Sequence, residues 1–251
     1  MKTLITGASS GIGRDLARAL SCKYDTFILV GRNRKRLDSI GEELKAKGKV
    51  VYLEVLDVTE TDKLIELANK YPDLDLLVNN AGFGDMGSFE ETSLEKELTM
   101  IDTNIKALHV LTKVYYQKMV QNDHGHILNV ASIAGVMAGP LMATYYATKN
   151  YVVRLSEALR EELRRKKSNV KISVLCPGPV KTSFEKTANI TFDFKGIESM
   201  KVATYTVKHL KRFYIVPNWK IRVLRFLAKV FPTKTVAKVI YKVKSKPKEK
   251  E

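Results

Sequence analysis

The chain has 251 residues, 45% of them hydrophobic and 28% charged, with a formal net charge of +16. That length and apolar content suit one α/β domain with a full core and exclude a mainly disordered chain. The only cysteines, Cys22 and Cys176, fall in different expected elements, which argues against a disulfide framework and for a reducing cytoplasm.

The short apolar run after Lys2 leads straight into Thr6-Gly7, so it reads as a first strand at Leu4-Ile5 and not as a secretory leader. A glycine-rich turn and a helix over 11–20 follow. Next come a strand over 27–30, a charged helix over 35–46, a strand over 50–56 and a helix over 59–69 opened by Thr59. A strand over 74–78, a long helix over 94–120, a strand over 126–130, a helix over 145–165 and a strand over 170–175 complete the series. No stretch is long and apolar enough to span a bilayer. No cysteine pair has metal-ligand spacing, and His124 and His126 flank Gly125 in what reads as a turn, so no metal is expected. Continuous apolar strands alternating with helices predict a parallel sheet covered on both faces. Right-handed crossovers then give a single-domain, doubly wound (Rossmann-type) α/β fold with ligands at the carboxyl ends of the strands.

Between the first strand and helix stands Thr6-Gly7-Ala8-Ser9-Ser10-Gly11-Ile12-Gly13. Glycines let the backbone turn and approach a pyrophosphate, and the helix N-terminus offers it free N–H groups. Gly7, Ser9, Ser10, Gly11, Ile12 and Gly13 are therefore candidate dinucleotide contacts. The second strand runs into Gly31-Arg32-Asn33-Arg34-Lys35-Arg36 with no acid. An acid there would hold the ribose hydroxyls of NAD and repel a 2′-phosphate. Arg32, with its planar fork, is placed to grip that phosphate, helped by Asn33 and Arg36, so the expected cofactor is NADP(H). Asp57 and Val58 end the third strand, where the carboxylate could accept from the adenine amino group. Asn80, Ala81 and Gly82 end the fourth, where small residues let the backbone lie against the cofactor.

Ser132 follows the fifth strand, and Tyr145 and Lys149 lie one helical turn apart, on one face. A phenol titrates near 10, too high for proton transfer at neutral pH, and an adjacent ammonium favours its ionised form. Lys149 thus makes Tyr145 a workable acid and base, while Ser132 can hold a carbonyl oxygen where negative charge develops. Ser132 lacks the preceding glycine of a hydrolase nucleophile elbow.

Taken together, Thr6 to Gly13, Asn79 to Gly82, Asn104, Ser132, Tyr145-Tyr146-Ala147-Thr148-Lys149 and Pro177-Gly178-Pro179-Val180-Lys181-Thr182 resemble the motif series of the short-chain dehydrogenase/reductase family over roughly three-quarters of the chain. The resemblance implies a hydride-transferring oxidoreductase with catalytic residues Asn104, Ser132, Tyr145 and Lys149. In that reading Lys149 also binds the nicotinamide ribose and Asn104 holds a water of the proton relay. Pro177, Gly178, Val180 and Thr182 hold the nicotinamide, and a homodimer or homotetramer is expected. Tyr145, rather than Tyr146, is the acid/base because only it has the four-residue step to Lys149. The rival reading is a non-catalytic NADP(H)-binding regulatory or membrane-associated protein of the same fold, which has no need of an intact acid/base pair.

The expected organisation is a dinucleotide-binding and catalytic core over 1–185, a substrate lid with a last helix and strand over 186–217, and a basic extension over 218–251. Residues 135–142 are expected to line the substrate pocket, with Phe184, Ile190, Phe192, Phe194, Ile197 and Met200 in the lid. Both stretches suggest a small apolar carbonyl or alcohol substrate of lipid-like, acyl or steroid character. Beyond Pro217, basic residues from Lys220 to Lys250 face only Glu249 and Glu251, and over half of the +16 lies there. Two apolar faces are expected, Val223-Leu224-Leu227-Val230 and Val236-Val239-Ile240-Val243, separated by Pro232, with disorder from Lys244 onward. Three readings compete for this extension: closing the substrate site or a subunit interface, lying on an anionic membrane surface, or binding nucleic acid. The first is favoured, and nucleic acid is disfavoured because no binding motif occurs.

Overall fold

The computed structural model describes residues 1–182, 184, 188 and 196–245. Its strands are β1 (Lys2–Thr6), β2 (Thr26–Gly31), β3 (Val50–Val55), β4 (Leu76–Asn79), β5 (His126–Val130), β6 (Lys171–Leu175), the two-residue pair β7 (Val180–Lys181) and β8 (Ile197–Glu198), and β9 (Tyr214–Ile215). Seven of them form one parallel sheet in the order β3-β2-β1-β4-β5-β6-β9. This is the doubly wound α/β fold expected from the alternation of elements. The chain reverses its direction of travel across the sheet between β1 and β4, which opens a crevice at their carboxyl ends.

The inner strands read as unbroken apolar runs because both faces are buried, and successive side chains serve opposite layers, whereas the edge strand β3 leaves Val50, Tyr52 and Val55 exposed. Ile5, Leu29, Val78 and Leu128 pack with Leu16, Leu20 and Leu37 on one side. Leu4, Ile28, Leu77 and Ile127 pack with Leu64, Leu111 and Tyr115 on the other. The first layer is built by α1 (Gly11–Leu20) and α2 (Arg34–Lys45), the second by α3 (Thr61–Lys70) and the long rod α4 (Leu94–Ile101) to α5 (Leu108–Gln121). Between α4 and α5 the rod passes through a π-helical turn, Asp102–Ala107. Helix α6 (Ala143–Arg165) follows β5, and α7 (Ser199–Lys208), α8 (Trp219–Val230) and α9 (Thr233–Lys244) complete the chain.

Three expectations change. Thr59 does not open α3: its N–H and hydroxyl both donate to Asp57 Oδ1, at 3.0 and 2.9 Å, so the chain turns once more before the helix starts at Thr61. The inward face of the extension keeps Val236 and Ile240 of the expected second stripe but not the first stripe. Ile221, Ala228, Val236 and Ile240 pack against the core around Val136, Met137 and Val216, whereas Val223, Leu224, Leu227, Val230, Val239 and Val243 are exposed. Disorder does not begin at Lys244, which closes α9; residues 246–251 lie outside the described residues. Among the described residues no helix is long and apolar enough to cross a membrane.

Candidate active site

The glycine-rich loop is drawn tight by side chains from the opposite side of the crevice. The Thr6 hydroxyl accepts from the N–H groups of Asn80 and Ala81, both at 3.0 Å, and Asn80 Nδ2 donates to the Thr6 and Gly7 carbonyls. Gly7 (φ 65°) and Gly11 (φ 53°) take left-handed conformations that disfavour a side chain. A Cβ at Gly13 would stand 2.4 Å from the Gly7 carbonyl oxygen, so helix α1 can begin under the loop only with glycine there. The first N–H groups of α1 consequently face the crevice.

From this loop a cleft of about 840 Å³ runs across the sheet, within the range of ligand sites. At one end it is lined by Arg32, Asn33, Arg36, Asp57 and Val58, and along its middle by Gly7, Ser9, Ser10, Gly11, Ile12, Asn80, Ala81 and Gly82. At the other end stand Ser132, Tyr145, Lys149, Pro177, Gly178, Val180 and Thr182. The fold thus gathers nearly every residue the sequence singled out. Two stand behind the wall: Gly13, for the packing reason given, and Asn104. The Asn104 side chain accepts from Phe83 N at 3.0 Å and donates to Phe83 O at 2.8 Å and Thr148 Oγ1 at 3.0 Å. It braces the strand-four loop from within the π turn, a helix irregularity often found at functional sites.

At the Arg32 end, Nη1 donates to Asp57 Oδ2 at 3.3 Å, and Asn33 caps α2 by accepting from Arg36 N at 3.0 Å. Asp57 is therefore engaged by Thr59 and Arg32. Burial acts to raise its carboxyl pKa, but the Thr59 donors and the Arg32 charge outweigh burial and hold it below the usual range.

At the other end Ser132 sits at the start of a 3₁₀ turn, Ile133–Val136, with Oγ accepting from Ala134 N at 3.2 Å. Ile133 N donates to Pro177 O at 2.9 Å, tying the segments after β5 and β6 together. Tyr145 and Lys149, in the first turns of α6, are both buried, and Lys149 Nζ lies 5.9 Å from the centre of the Tyr145 ring. Lys149 Nζ donates to Val130 O at 3.0 Å. The expected lowering of the phenol by the ammonium is not seen: burial pushes Tyr145 up to about 12, opposed by the hydrogen bond with Ser132. Burial also pushes Lys149 down to about 8. Tyr145 is thus a neutral phenol through the physiological range, near an amine that is close to its own titration.

On the substrate side the structure revises the expectation. Of residues 135–142 only Met142 lines the cleft, because Val136 and Met137 turn into the core beneath the extension. Phe184 does line it, its ring 5.5 Å from that of Tyr145. Ile197 packs partly buried against the core and Met200 is exposed, while Ile190, Phe192 and Phe194 lie outside the described residues. Sequence reasoning missed Phe83, Thr99, Thr103, Tyr146 and Lys244, all of which reach the cleft. Lys244 was hidden in a run of tail lysines; its ammonium lies 3.9 Å above the Tyr146 ring and 3.3 Å from the Pro140 carbonyl oxygen.

Among the described residues no group of three His, Cys, Asp or Glu side chains could hold a metal ion. His124 pairs with Asp75 and His126 with Ser173, each at 2.8 Å. Cys22 is exposed and Cys176 buried, both as free thiols.

A loop-and-helix cradle at the switch point, with a serine, tyrosine and lysine at its far end, defines a nucleotide-dependent oxidoreductase on a doubly wound sheet. The chain belongs to the short-chain dehydrogenase family, which it matches over residues 2–191. An uncharacterized oxidoreductase of Staphylococcus epidermidis is 33% identical over 206 residues, covering 81% of this chain and 88% of that one. The short-chain dehydrogenase of Sphingobium yanoikuyae, solved in complex with NADPH, superposes with a TM-score of 0.83 at 25% identity, covering 99% of this chain and 98% of that one. A short-chain dehydrogenase/reductase of Burkholderia phymatum, solved in complex with NAD, superposes with a TM-score of 0.82 at 26% identity, covering 90% and 92%.

Proposed function

We propose that this protein interconverts a ketone and a secondary alcohol on an apolar substrate of lipid-like, acyl or steroid character, using NADP(H), with Tyr145 as the acid/base. The observation that carries the reading is the position of Tyr145, Lys149 and Ser132 at one end of a cleft whose other end holds Arg32, Asn33 and Arg36. The residues present fit the cofactor, since the glycine loop leaves room for a pyrophosphate and Arg32 offers a fork to a 2′-phosphate. When bound, NADP(H) supplies or accepts the hydride.

The rest is the work of the chain's own groups. Ser132 holds the substrate oxygen by a hydrogen bond that strengthens as charge builds on it. Tyr145, kept protonated by burial, delivers its proton to that oxygen in reduction, and takes one back in oxidation. Lys149 supports the phenolate left behind and holds the nicotinamide ribose, with the proton resupplied through a water held at Asn104. Pro177, Gly178, Val180 and Thr182 fix the nicotinamide. Uncharged Met142 and Phe184 beside Tyr145 favour an apolar substrate body. NADPH consumption, followed by absorbance against a panel of aliphatic and steroid ketones, tests this reading. Turnover of at least one apolar ketone with NADPH preferred over NADH is expected; reduction confined to NADH would overturn the cofactor assignment.

The working unit in this reading is a cytoplasmic homodimer or homotetramer whose extension closes the substrate site or a subunit interface. A second role for the extension, peripheral contact with an anionic membrane, is favoured by one observation. Trp219, Val223, Phe226, Leu227 and Val230 are all exposed, at the spacing of a single helical stripe among basic residues. Flotation with phosphatidylserine vesicles tests it: wild type should bind, a Trp219→Ser, Phe226→Ser double variant should not, and no wild-type binding would refute it.

A further inference from the structure

Helix α9 leaves the body of the extension and ends at the substrate side of the cleft. Of the extension's described basic residues, only Lys244 lines that cleft. Its side chain is half-buried, reaching over the Tyr146 ring at 3.9 Å, and that ring stands edge-on to Tyr145 with centres 6.1 Å apart. A single ring, that of Tyr146, therefore separates the ammonium from the ring of the proposed proton donor. One of its three donors is spent on the Pro140 carbonyl, and among the described residues no acidic side chain pairs with it. The neighbouring lining, Met142, Phe184 and Ala134, is uncharged, so an opposite charge brought there would act through a less polar medium than water.

A lysine in such a place costs free energy unless something compensates it. The cost is visible in burial pushing its ammonium down to about 7. The aromatic face of Tyr146 and one carbonyl offset only part of it. An anionic group entering the cleft would complete the set.

We propose that Lys244 recognises an anionic group, in the simplest case a carboxylate, at the end of the substrate remote from the reacting carbon. The substrate class becomes an apolar oxo or hydroxy compound carrying a terminal negative charge, and the C-terminal helix becomes the element that selects it. This rests on reading the cleft as a carbonyl-reducing site, but it is tested by binding alone.

The test is calorimetric titration of the full-length, NADPH-saturated protein with hexanoate and with hexanamide, which share a shape and differ in charge. Wild type should bind hexanoate about tenfold or more tightly than hexanamide, the value of one charge-assisted bond. Lys244→Met should erase that preference while leaving the NADPH dissociation constant unchanged, and Lys244→Arg should keep it. Equal binding of the two probes by wild type, undetectable hexanoate binding, or a preference that survives in Lys244→Met would overturn the proposal. A Lys244-dependent preference in a protein that reduces no ketone would leave the anion site standing and the catalytic reading refuted. Ketone reduction without the preference would do the reverse.

Discussion

Replacing Arg32 with aspartate exchanges a planar cation at the end of β2 for a carboxylate while touching no core residue. The Arg32 side chain is 76% exposed and pairs with Asp57 at 3.3 Å, so the pair contributes about 0–1 kcal/mol to folding and the melting temperature should move by only a few degrees. Cofactor binding should change far more. A charge-assisted bond to phosphate is worth about 1.5–3 kcal/mol, and solvent at this exposed position argues for the lower figure. The new carboxylate repels the phosphate as well, by about 1 kcal/mol per unit charge at ~4 Å in water, and the phosphate carries nearly two charges. At about 1.4 kcal/mol per factor of ten, salt screening included, the NADPH dissociation constant should rise roughly a hundredfold. NADH, with free ribose hydroxyls for the carboxylate to accept from, should bind equally well or better. Nucleotide fluorescence titrations of both proteins with both cofactors measure this. An NADPH constant within threefold of wild type would refute the role given to Arg32.

Other consequences follow from the packing and the titrations. Gly13→Ala drives a methyl to 2.4 Å from both the Gly7 carbonyl oxygen and Asn80 Nδ2; overpacking of this kind costs about 1–3 kcal/mol, so the thermal melt should fall by several degrees and NADPH affinity with it. An unchanged melt would contradict the close approach. Because burial holds Lys149 near 8 and Tyr145 near 12, kcat/KM for reduction should fall on the alkaline side with an apparent pKa near 8, as the amine loses its charge before the phenol titrates; a profile flat to pH 10 would count against it. Burial, aided by the charge of Lys171, pushes His126 down to about 4 in the folded state. Between pH 6.5 and about 4 the unfolded chain therefore binds a proton that the folded chain refuses, so stability is intact above 6.5 and is lost as the pH falls through that window. Urea titrations should show that slope in wild type and a shallower one in His126→Gln; identical slopes would exclude His126 as its source.

The sheet was legible because its inner strands are buried on both faces. Ile28-Leu29 and Ile127-Leu128 need no alternation to betray them, and the turns between elements carry glycine or polar residues. The cleft was legible because Gly7, Arg32, Ser132, Tyr145 and Lys149, read from local motifs, all line it. Where the sequence misled, two partners competed for one group. Thr59 has the side chain of a helix cap but spends it on Asp57. The π turn at Asn104, in Asp102–Ala107, contains no glycine or proline, so nothing in the sequence marks the interruption. In α8 and α9 apolar residues occupy more of the helix surface than one contact can bury, so spacing found Val236 and Ile240 among the inward residues but not Ile221 and Ala228. The burial of Tyr145 that raises its phenol depends on Phe184 and the loop near Gly84, distant in sequence.

The central claim is that a buried phenol carries the proton. It is tested most directly by Tyr145→Phe, which removes one oxygen from a ring already packed against Phe184 and Tyr146. NADPH oxidation by any ketone that wild type reduces should slow by about two to four orders of magnitude, as loss of general acid catalysis does, with the NADPH dissociation constant unchanged. Turnover close to wild type in that variant would mean that the proton comes from elsewhere.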